Sequence, residues 1–116
     1  MRLVPNEARF RLDVDPRARQ WLALHPQTDG LVIEYDVHRC CGGGKICQVS
    51  VRAQSDRDDP NEYARGECVD GTDVLIDRRA AARLPHRFGL TVKGMGRWKQ
   101  LDLQLDPEAW GDLLWA

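Results

Sequence analysis

The chain lacks any long apolar run, and this absence bounds what kind of protein it can be. Its 116 residues are 42% hydrophobic and 30% charged, which is the composition of one globular domain rather than of a disordered or fibrous chain. No stretch approaches the roughly 18 apolar residues of a membrane-spanning helix, and the first residues show no apolar core of a secretory signal. The sequence therefore predicts a cytoplasmic protein that does not associate with membranes.

An excess of either charge is also missing. The 17 Lys and Arg residues against 18 Asp and Glu residues give a formal charge of -1. Nucleic-acid-binding domains usually carry a marked basic excess, so the overall charge predicts no nucleic-acid partner. Neither a Ser/His/Asp arrangement nor an HExxH motif is present. No catalytic residue is therefore assigned, and the sequence leaves open whether the protein is an enzyme.

Alternating hydrophobic residues indicate a mostly β chain, because period two is typical of half-buried strands. Two such runs, 31–38 and 47–53, flank three consecutive glycines and predict a β-hairpin. The residues that we expect to be buried in this hairpin are Ile33, Tyr35, Val37, Val49 and Val51. Further strands are predicted at 10–14, at 73–77, around 90–92 and over 98–105.

Two Asp-Pro pairs, Asp15-Pro16 and Asp106-Pro107, predict the starts of short helices near both ends, with aspartate as the N-cap and proline at the first turn. A further helix is predicted over 78–84, where Pro85 ends it. The polar residues 54–72 predict a long surface connection. The expected fold is one α+β domain over 1–116, mostly β, with a hairpin that carries a Cys/Gly-rich turn.

Four cysteines provide the chemical signal of the sequence: Cys40, Cys41, Cys47 and Cys68. Three of them lie within eight residues, around three glycines that permit close approach of the backbone to another atom. The neighbouring Lys45 favours thiolates through its positive charge.

The position of each cysteine follows from strand parity. Counting by twos along the predicted hairpin places Cys41 and Cys47 on its apolar face and Cys40 on the opposite face, together with His38. Cys68 comes near the end of the polar stretch, from which it could fold back over the other three.

Three interpretations of the cysteines remain open at this point. The first is a metal site in which all four bind iron, an iron–sulfur cluster or zinc, since thiolates are standard ligands for each. The second is thiol–disulfide redox chemistry by the adjacent pair, with a third cysteine that resolves the mixed disulfide. The third is a structural role only, since a free cysteine packs as a small hydrophobic residue; the protein would then be an interaction module.

The order of elements resembles that of the HesB/IscA-like proteins of iron–sulfur cluster assembly. The segments that carry the resemblance are LVIEYDVHRCCGGG, the returning strand ICQVSVRAQ and the segment DVLIDRRAAARL, and the similarity extends over about Asp15 to Pro107. It is greatest to the branch with a vicinal Cys-Cys or Cys-selenocysteine motif.

This resemblance implies a HesB-like fold and a cysteine after the first hairpin strand, here Cys40 or Cys41, that holds iron or a cluster. It also implies partners among other iron–sulfur assembly or thiol proteins. The family's second ligand pair, a C-terminal Cys-x-Cys, has no counterpart, because the residues after Pro107 contain no cysteine. Cys47 and Cys68 are the candidates to replace it as metal ligands.

Overall fold

The computed structural model of the protein describes residues 10–26, 29–39 and 45–114. Within them, seven strands form one mixed sheet, accompanied by three short helices. The strands are β1 (Phe10–Val14), β2 (Gly30–Arg39), β3 (Lys45–Ala53), β4 (Tyr63–Cys68), β5 (Asp73–Asp77), β6 (Arg87–Lys93) and β7 (Gln100–Gln104). The helices are α1 (Pro16–Leu24), α2 (Arg78–Ala81) and α3 (Pro107–Leu114). The prediction of a mostly β, single-domain fold with short helices near both ends is confirmed.

The strand order in the sheet is β3-β2-β5-β4-β1-β6-β7. The first strand of the chain is therefore internal, and it pairs in parallel with both β4 and β6. The two outermost strands, β3 and β7, contact each other. The sheet thus curls into an almost closed barrel, whose interior contains the hydrophobic core.

The predicted strand over 10–14 and the two capped helices are confirmed. In β1, Phe10, Leu12 and Val14 are buried while the residues between them are exposed. Asp15 caps α1 by accepting a hydrogen bond from the backbone N–H of Ala18 at 2.8 Å. The second Asp-Pro pair behaves in the same way at the start of α3. None of the described helices is long and apolar enough to cross a membrane.

The prediction of a long surface connection over 54–72 is wrong for its second half. Tyr63–Cys68 is strand β4, which lies between β5 and β1 in the middle of the sheet. Residues 54–62 remain a loop that ends in a 3-10 turn at Pro60–Glu62, and 69–72 form the short turn from β4 to β5. Arg52 holds this loop against the sheet with a bidentate ion pair to Asp58, at 2.9 and 2.7 Å.

The predicted hairpin is confirmed as β2 and β3, which pair antiparallel from Leu31 opposite Ala53 to Arg39 opposite Lys45. Ile33 and Tyr35 are buried as expected. Val49 and Val51 are half-buried and pack against the core.

The expectation that Val37 is buried is wrong, because its side chain is 41% exposed. Strand β2 pairs with β5 from Gly30 to Ile33. The hairpin therefore extends beyond its neighbour in the sheet, and Val37 lies on the projecting part. The predicted helix over 78–84 is shorter than expected, since α2 ends at Ala81.

Candidate functional site

The projecting end of the β2–β3 hairpin, which we call the hairpin mouth, carries Cys47. The residue lies opposite Val37 in the register, on the same face as the buried side chains of Ile33 and Tyr35. It is half-buried and packs against the core. The parity argument that placed Cys47 on the apolar face is therefore confirmed.

Tyr35 is the centre of the polar contacts at this end of the hairpin. Its hydroxyl donates a hydrogen bond to the backbone carbonyl of Leu113 in α3 at 2.9 Å. The same oxygen accepts a hydrogen bond from the guanidinium of Arg83 at 2.9 Å. These contacts link the hairpin to α3 and to the segment after α2.

The Tyr35 hydroxyl also faces Cys47. Burial, together with the adjacent Cys47 side chain, raises the pKa of Tyr35 above its ordinary value, and this effect exceeds the opposing one of Arg83. The hydroxyl therefore keeps its proton at neutral pH, as its donation to the Leu113 carbonyl requires. Cys47 thus lies beside a neutral hydrogen-bonding group that a guanidinium contacts in turn.

Two arginines bring positive charge to the hairpin mouth. The guanidinium carbons of Arg79 and Arg83 lie 5.6 and 5.9 Å from the centre of the Tyr35 ring, within the range of cation–π attraction. Arg79 also donates to the backbone carbonyl of Tyr35 at 2.6 Å, on a part of β2 beyond its described pairing with β5. An anion near Cys47 would be stabilised by these charges.

The guanidinium groups differ in their ion pairing. Arg79 forms an ion pair with Asp77 at 3.1 Å. Arg83 forms no ion pair with a carboxylate among the described residues, and it is exposed. Arg83 is therefore the guanidinium of the hairpin mouth that can bind an incoming anion.

Cys68 does not lie at the hairpin mouth. It is the last residue of β4, fully buried, opposite Leu12 of β1. Through Asp73 of β5, Glu67 of β4 is level with Gly30 of β2, and Cys68 lies one residue further from the hairpin mouth, whereas Cys47 is level with Val37. Along the strand direction, Cys68 and Cys47 are therefore eight residues apart, which is about 26 Å. One ion cannot bind directly to both cysteines, so Cys68 does not join the metal set that the sequence predicts.

Burial also gives Cys68 a different chemistry. Enclosure in the core, reinforced by the negative charges of Asp70 and Glu67, raises the pKa of the Cys68 thiol to about 12. Metal ligation and nucleophilic attack both require the thiolate. Cys68 is therefore a packing residue in this fold.

The other predicted ligands, Cys40 and Cys41, lie outside the described residues, as do the three glycines. The prediction for Cys41 on the apolar face stays a prediction. The residues that flank this segment in the sequence, Arg39 and Lys45, are paired with each other at the hairpin mouth. In the described part of the chain, no group of three His, Cys, Asp or Glu side chains is arranged to hold a metal ion.

Sequence reasoning did not identify Tyr35 and the two arginines as part of one site. The alternation of hydrophobic residues predicts that Tyr35 is a core residue, and the segment RRAAAR predicts only a helix. Arg79 of α2 and Arg83, just after α2, meet the hairpin through tertiary contacts across 44 and 48 residues of chain. A pattern within a single segment does not contain that information.

Comparison with known families assigns the chain. Residues 10–105 match the CC/Se motif containing family. The chain belongs to this family. Its adjacent cysteines, Cys40 and Cys41, form the one Cys-Cys pair in the sequence and lie within the matched residues. No curated protein matches the chain.

Proposed function

We propose that the hairpin mouth is a thiol–disulfide exchange site at which Cys40, Cys41 and Cys47 act together. The observation that carries this proposal is the position of Cys47, half-buried on the inner face of β3 beside Tyr35 and near Arg83, which pairs with no carboxylate among the described residues. Arg39 and Lys45, the residues on either side of the segment with the Cys-Cys pair, are paired at the same mouth. Membership of a family described by a CC/Se motif supports the choice of the adjacent pair.

The exchange proceeds in two balanced steps. One thiolate of the Cys40–Cys41 pair attacks a sulfur of a small disulfide, so that a mixed disulfide forms and one thiolate of the reagent leaves. A second protein thiolate, for which Cys47 is the candidate, attacks the protein sulfur of the mixed disulfide. The second reagent thiolate leaves, and the protein now contains a disulfide. The small disulfide is the oxidant, and the two protein thiols supply the two electrons.

The second candidate function is metal binding by the same three cysteines. Three thiols within eight residues are a suitable donor set for iron, an iron–sulfur cluster or zinc. Cys40, Cys41 and Cys47 would hold either an iron–sulfur cluster or a single metal ion, and the single ion would supply a Lewis acid. A HesB-like fold and partners among other iron–sulfur assembly or thiol proteins belong to this candidate, and the resemblance in element order supports them.

Exchange is favoured over metal binding by the location of Cys68. With this residue in the core, at most three cysteines of the chain, Cys40, Cys41 and Cys47, are left for a shared site instead of four. A closed structural metal site usually has four protein ligands, whereas exchange needs only two thiols and a resolving step.

The two functions separate in one set of variants: Cys40→Ser, Cys41→Ser and Cys47→Ser, with Cys68→Ala as the matched control. The reduced proteins are mixed with glutathione disulfide, quenched with acid and analysed by mass spectrometry. For exchange, we expect loss of the attacking cysteine to abolish the mixed disulfide and loss of the resolving cysteine to trap it. Cys68→Ala should behave as the wild type.

The metal candidate makes a different prediction for the same proteins. Added Zn²⁺ or Fe²⁺ should raise the melting temperature of the reduced wild type, because binding to the native state stabilises it. The increase should be lost in each of the three variants. If no mixed disulfide forms and no metal changes the melting temperature, both functions are wrong, and the cysteines are structural.

A further inference from the structure

A second surface, outside the cysteine hairpin, combines exposed apolar side chains with positive charge. It consists of α1 and the turn between β6 and β7, residues 93–100, and we call it the basic tip. Leu24, Met95 and Trp98 on this surface are 71%, 81% and 80% exposed. They are the three most exposed of the large hydrophobic residues in the described part of the chain. Leaving such side chains in water is unfavourable, and Leu24 shares a groove with Lys99 of the turn that carries Met95 and Trp98, which indicates a binding surface.

The charges of the basic tip are of one sign. The segments 16–24 and 93–100 contain five Lys and Arg residues and no Asp or Glu, although the whole chain has slightly more acidic than basic residues. Lys93 approaches Asp102 at 4.0 Å. The other four, Arg17, Arg19, Arg97 and Lys99, form no ion pair with a carboxylate among the described residues. The partner of this surface is therefore expected to be anionic.

The local backbone fixes the shape of the tip. Gly94 and Gly96 have φ angles of 93° and 61°, which favour glycine, and a Cβ at Gly94 would lie 2.5 Å from the carbonyl oxygen of Trp98. The backbone N–H of Trp98 closes the turn on the carbonyl of Met95 at 3.1 Å. The turn therefore has a defined backbone conformation, and the side chains of Met95 and Trp98 point outward from it.

The helix and the turn form one continuous surface. Arg17, Trp21, Leu24 and Lys99 line a common groove between α1 and the turn. The exposed apolar side chains and the basic side chains are thus contributed by two neighbouring elements, one at each side of this groove.

We propose that the basic tip binds the surface of an anionic lipid bilayer. Leu24, Met95 and Trp98 enter the interface between headgroups and acyl chains, where tryptophan is enriched in membrane proteins. The surrounding Arg and Lys side chains face the lipid phosphates, each contributing attraction near the charged surface. That none of the described helices could span a membrane concerns passage through the bilayer, and it does not bear on attachment to its surface.

Other anionic partners fit the surface less well. Single-stranded nucleic acids bind by stacking their bases on aromatic rings, and Trp98 is the one strongly exposed ring of the tip. Leu24 and Met95 offer apolar volume without a ring face. An acidic protein partner would usually receive such side chains in pockets of its own or supply them to pockets here, but these three protrude from a turn and a helix end. A bilayer accepts protruding apolar side chains without matching pockets.

The experiment is vesicle flotation of the full chain. Vesicles of phosphatidylcholine with about one third phosphatidylglycerol are compared with vesicles of phosphatidylcholine alone, at low and high salt. We expect binding to the anionic vesicles that weakens as salt rises. The double variant Arg97→Glu/Lys99→Glu should bind at least about tenfold more weakly, and Trp98→Ala should also bind more weakly. Circular dichroism melting checks that each variant is folded.

The matched control is Arg57→Glu. Arg57 is exposed in the 54–62 loop, which the Arg52–Asp58 ion pair holds on the outer face of the sheet. Helix α1 of the basic tip lies on the inner face, where its Ala18 packs into the core. The charge reversal at Arg57 should leave vesicle binding unchanged. The proposal is overturned if neither vesicle binds, if both bind equally, or if the tip variants bind like the control. The proposal is also overturned if the protein prefers a single-stranded oligonucleotide or a polyglutamate peptide to the vesicles and the same substitutions weaken that binding.

Discussion

Cys47 and Cys68 are both strand residues whose side chains face the inside of the same sheet, yet their surroundings are opposite. Cys68 lies in the middle of the sheet and is fully buried among apolar side chains. Cys47 lies on an outermost strand at the projecting hairpin mouth, half-buried beside Tyr35, whose ring two guanidinium groups approach. The difference shows that the position of a cysteine in the sheet, and not the face on which it lies, separates a fully buried thiol from one that reaches solvent.

The largest expected difference between the two cysteines is in their rate of alkylation. In a Cys40→Ser/Cys41→Ser background, iodoacetamide should modify Cys47 at least about 1000-fold faster than Cys68, because Cys68 reacts only after the core opens. Isotope-coded alkylation and mass spectrometry of the two peptides measure both rates in one sample. Similar rates in folded protein would contradict the burial of Cys68, and the rates should converge in denaturant.

The next effect is on the free energy of unfolding. Cys68→Ser places a hydroxyl without a partner in the apolar interior, which should destabilise the protein by about 1–3 kcal/mol. Cys68→Ala is the control that removes the sulfur without adding a polar group. Cys47→Ser should cost less than about 1 kcal/mol, since its side chain reaches solvent. Urea unfolding measures the free energy of unfolding of all three variants. Equal losses for Cys68→Ser and Cys47→Ser would contradict the difference in burial between the two cysteines.

Alkaline pH should lower the free energy of unfolding through Cys68. The raised pKa of Cys68, about 12, exceeds the value near 8.5 of an unfolded cysteine. The folded state thus binds the proton more tightly, so this stabilisation is complete below about pH 8.5 and is lost as the pH rises towards 12. The loss approaches about 1.4 kcal/mol for each pH unit. Comparison of wild type with Cys68→Ala over pH 8–11 isolates it, and parallel pH profiles would contradict a raised pKa.

The smallest expected effect concerns the hairpin mouth. Tyr35→Phe removes the donor to the Leu113 carbonyl and the acceptor of Arg83, which should destabilise the protein by about 1 kcal/mol. Hydrogen exchange should accelerate in α3, whose contact with the hairpin is weakened, while β4 around Cys68 stays protected. Arg83→Gln serves as the comparison, because it keeps the donor to Leu113. Uniform acceleration along the chain would show that Tyr35 acts on the whole fold instead.

The strands that the sequence predicted well are those whose inward positions carry large apolar residues. Strand β4 was missed because its inward residues are small: Ala64, Gly66 and Cys68 face the core between polar neighbours. A Cβ at Gly66 would lie 3.2 Å from both Ile76 and Phe10. The interior of the sheet leaves little room here, so burial selects small side chains and weakens the hydrophobic alternation on which the prediction depends.

For the site, the sequence predicted which face of the hairpin Cys47 occupies, since strand parity is a local property. It did not predict the separation of Cys68 from Cys47, because that depends on the order of strands in the sheet. Tyr35 illustrates the same limit: its burial follows from alternation, but its contact with Leu113 joins residues 78 positions apart. Val32 lies on the opposite face of β2 from Ile33 and Tyr35, and it is also buried. Its register partner, Arg52, holds the 54–62 loop on that face.

The contact between Tyr35 and Leu113 has a consequence for the order of events during synthesis. The hairpin needs only residues 30–53 to pair, so it can form while the rest of the chain is still being made. Strand β1 must wait for β4 and β6, and α3 can reach Tyr35 only after Leu113 has been made, 60 residues after the end of β3 at Ala53. On the ribosome, Cys47 therefore emerges well before α3 can dock against the hairpin, so its surroundings in the nascent chain differ from those in the finished fold.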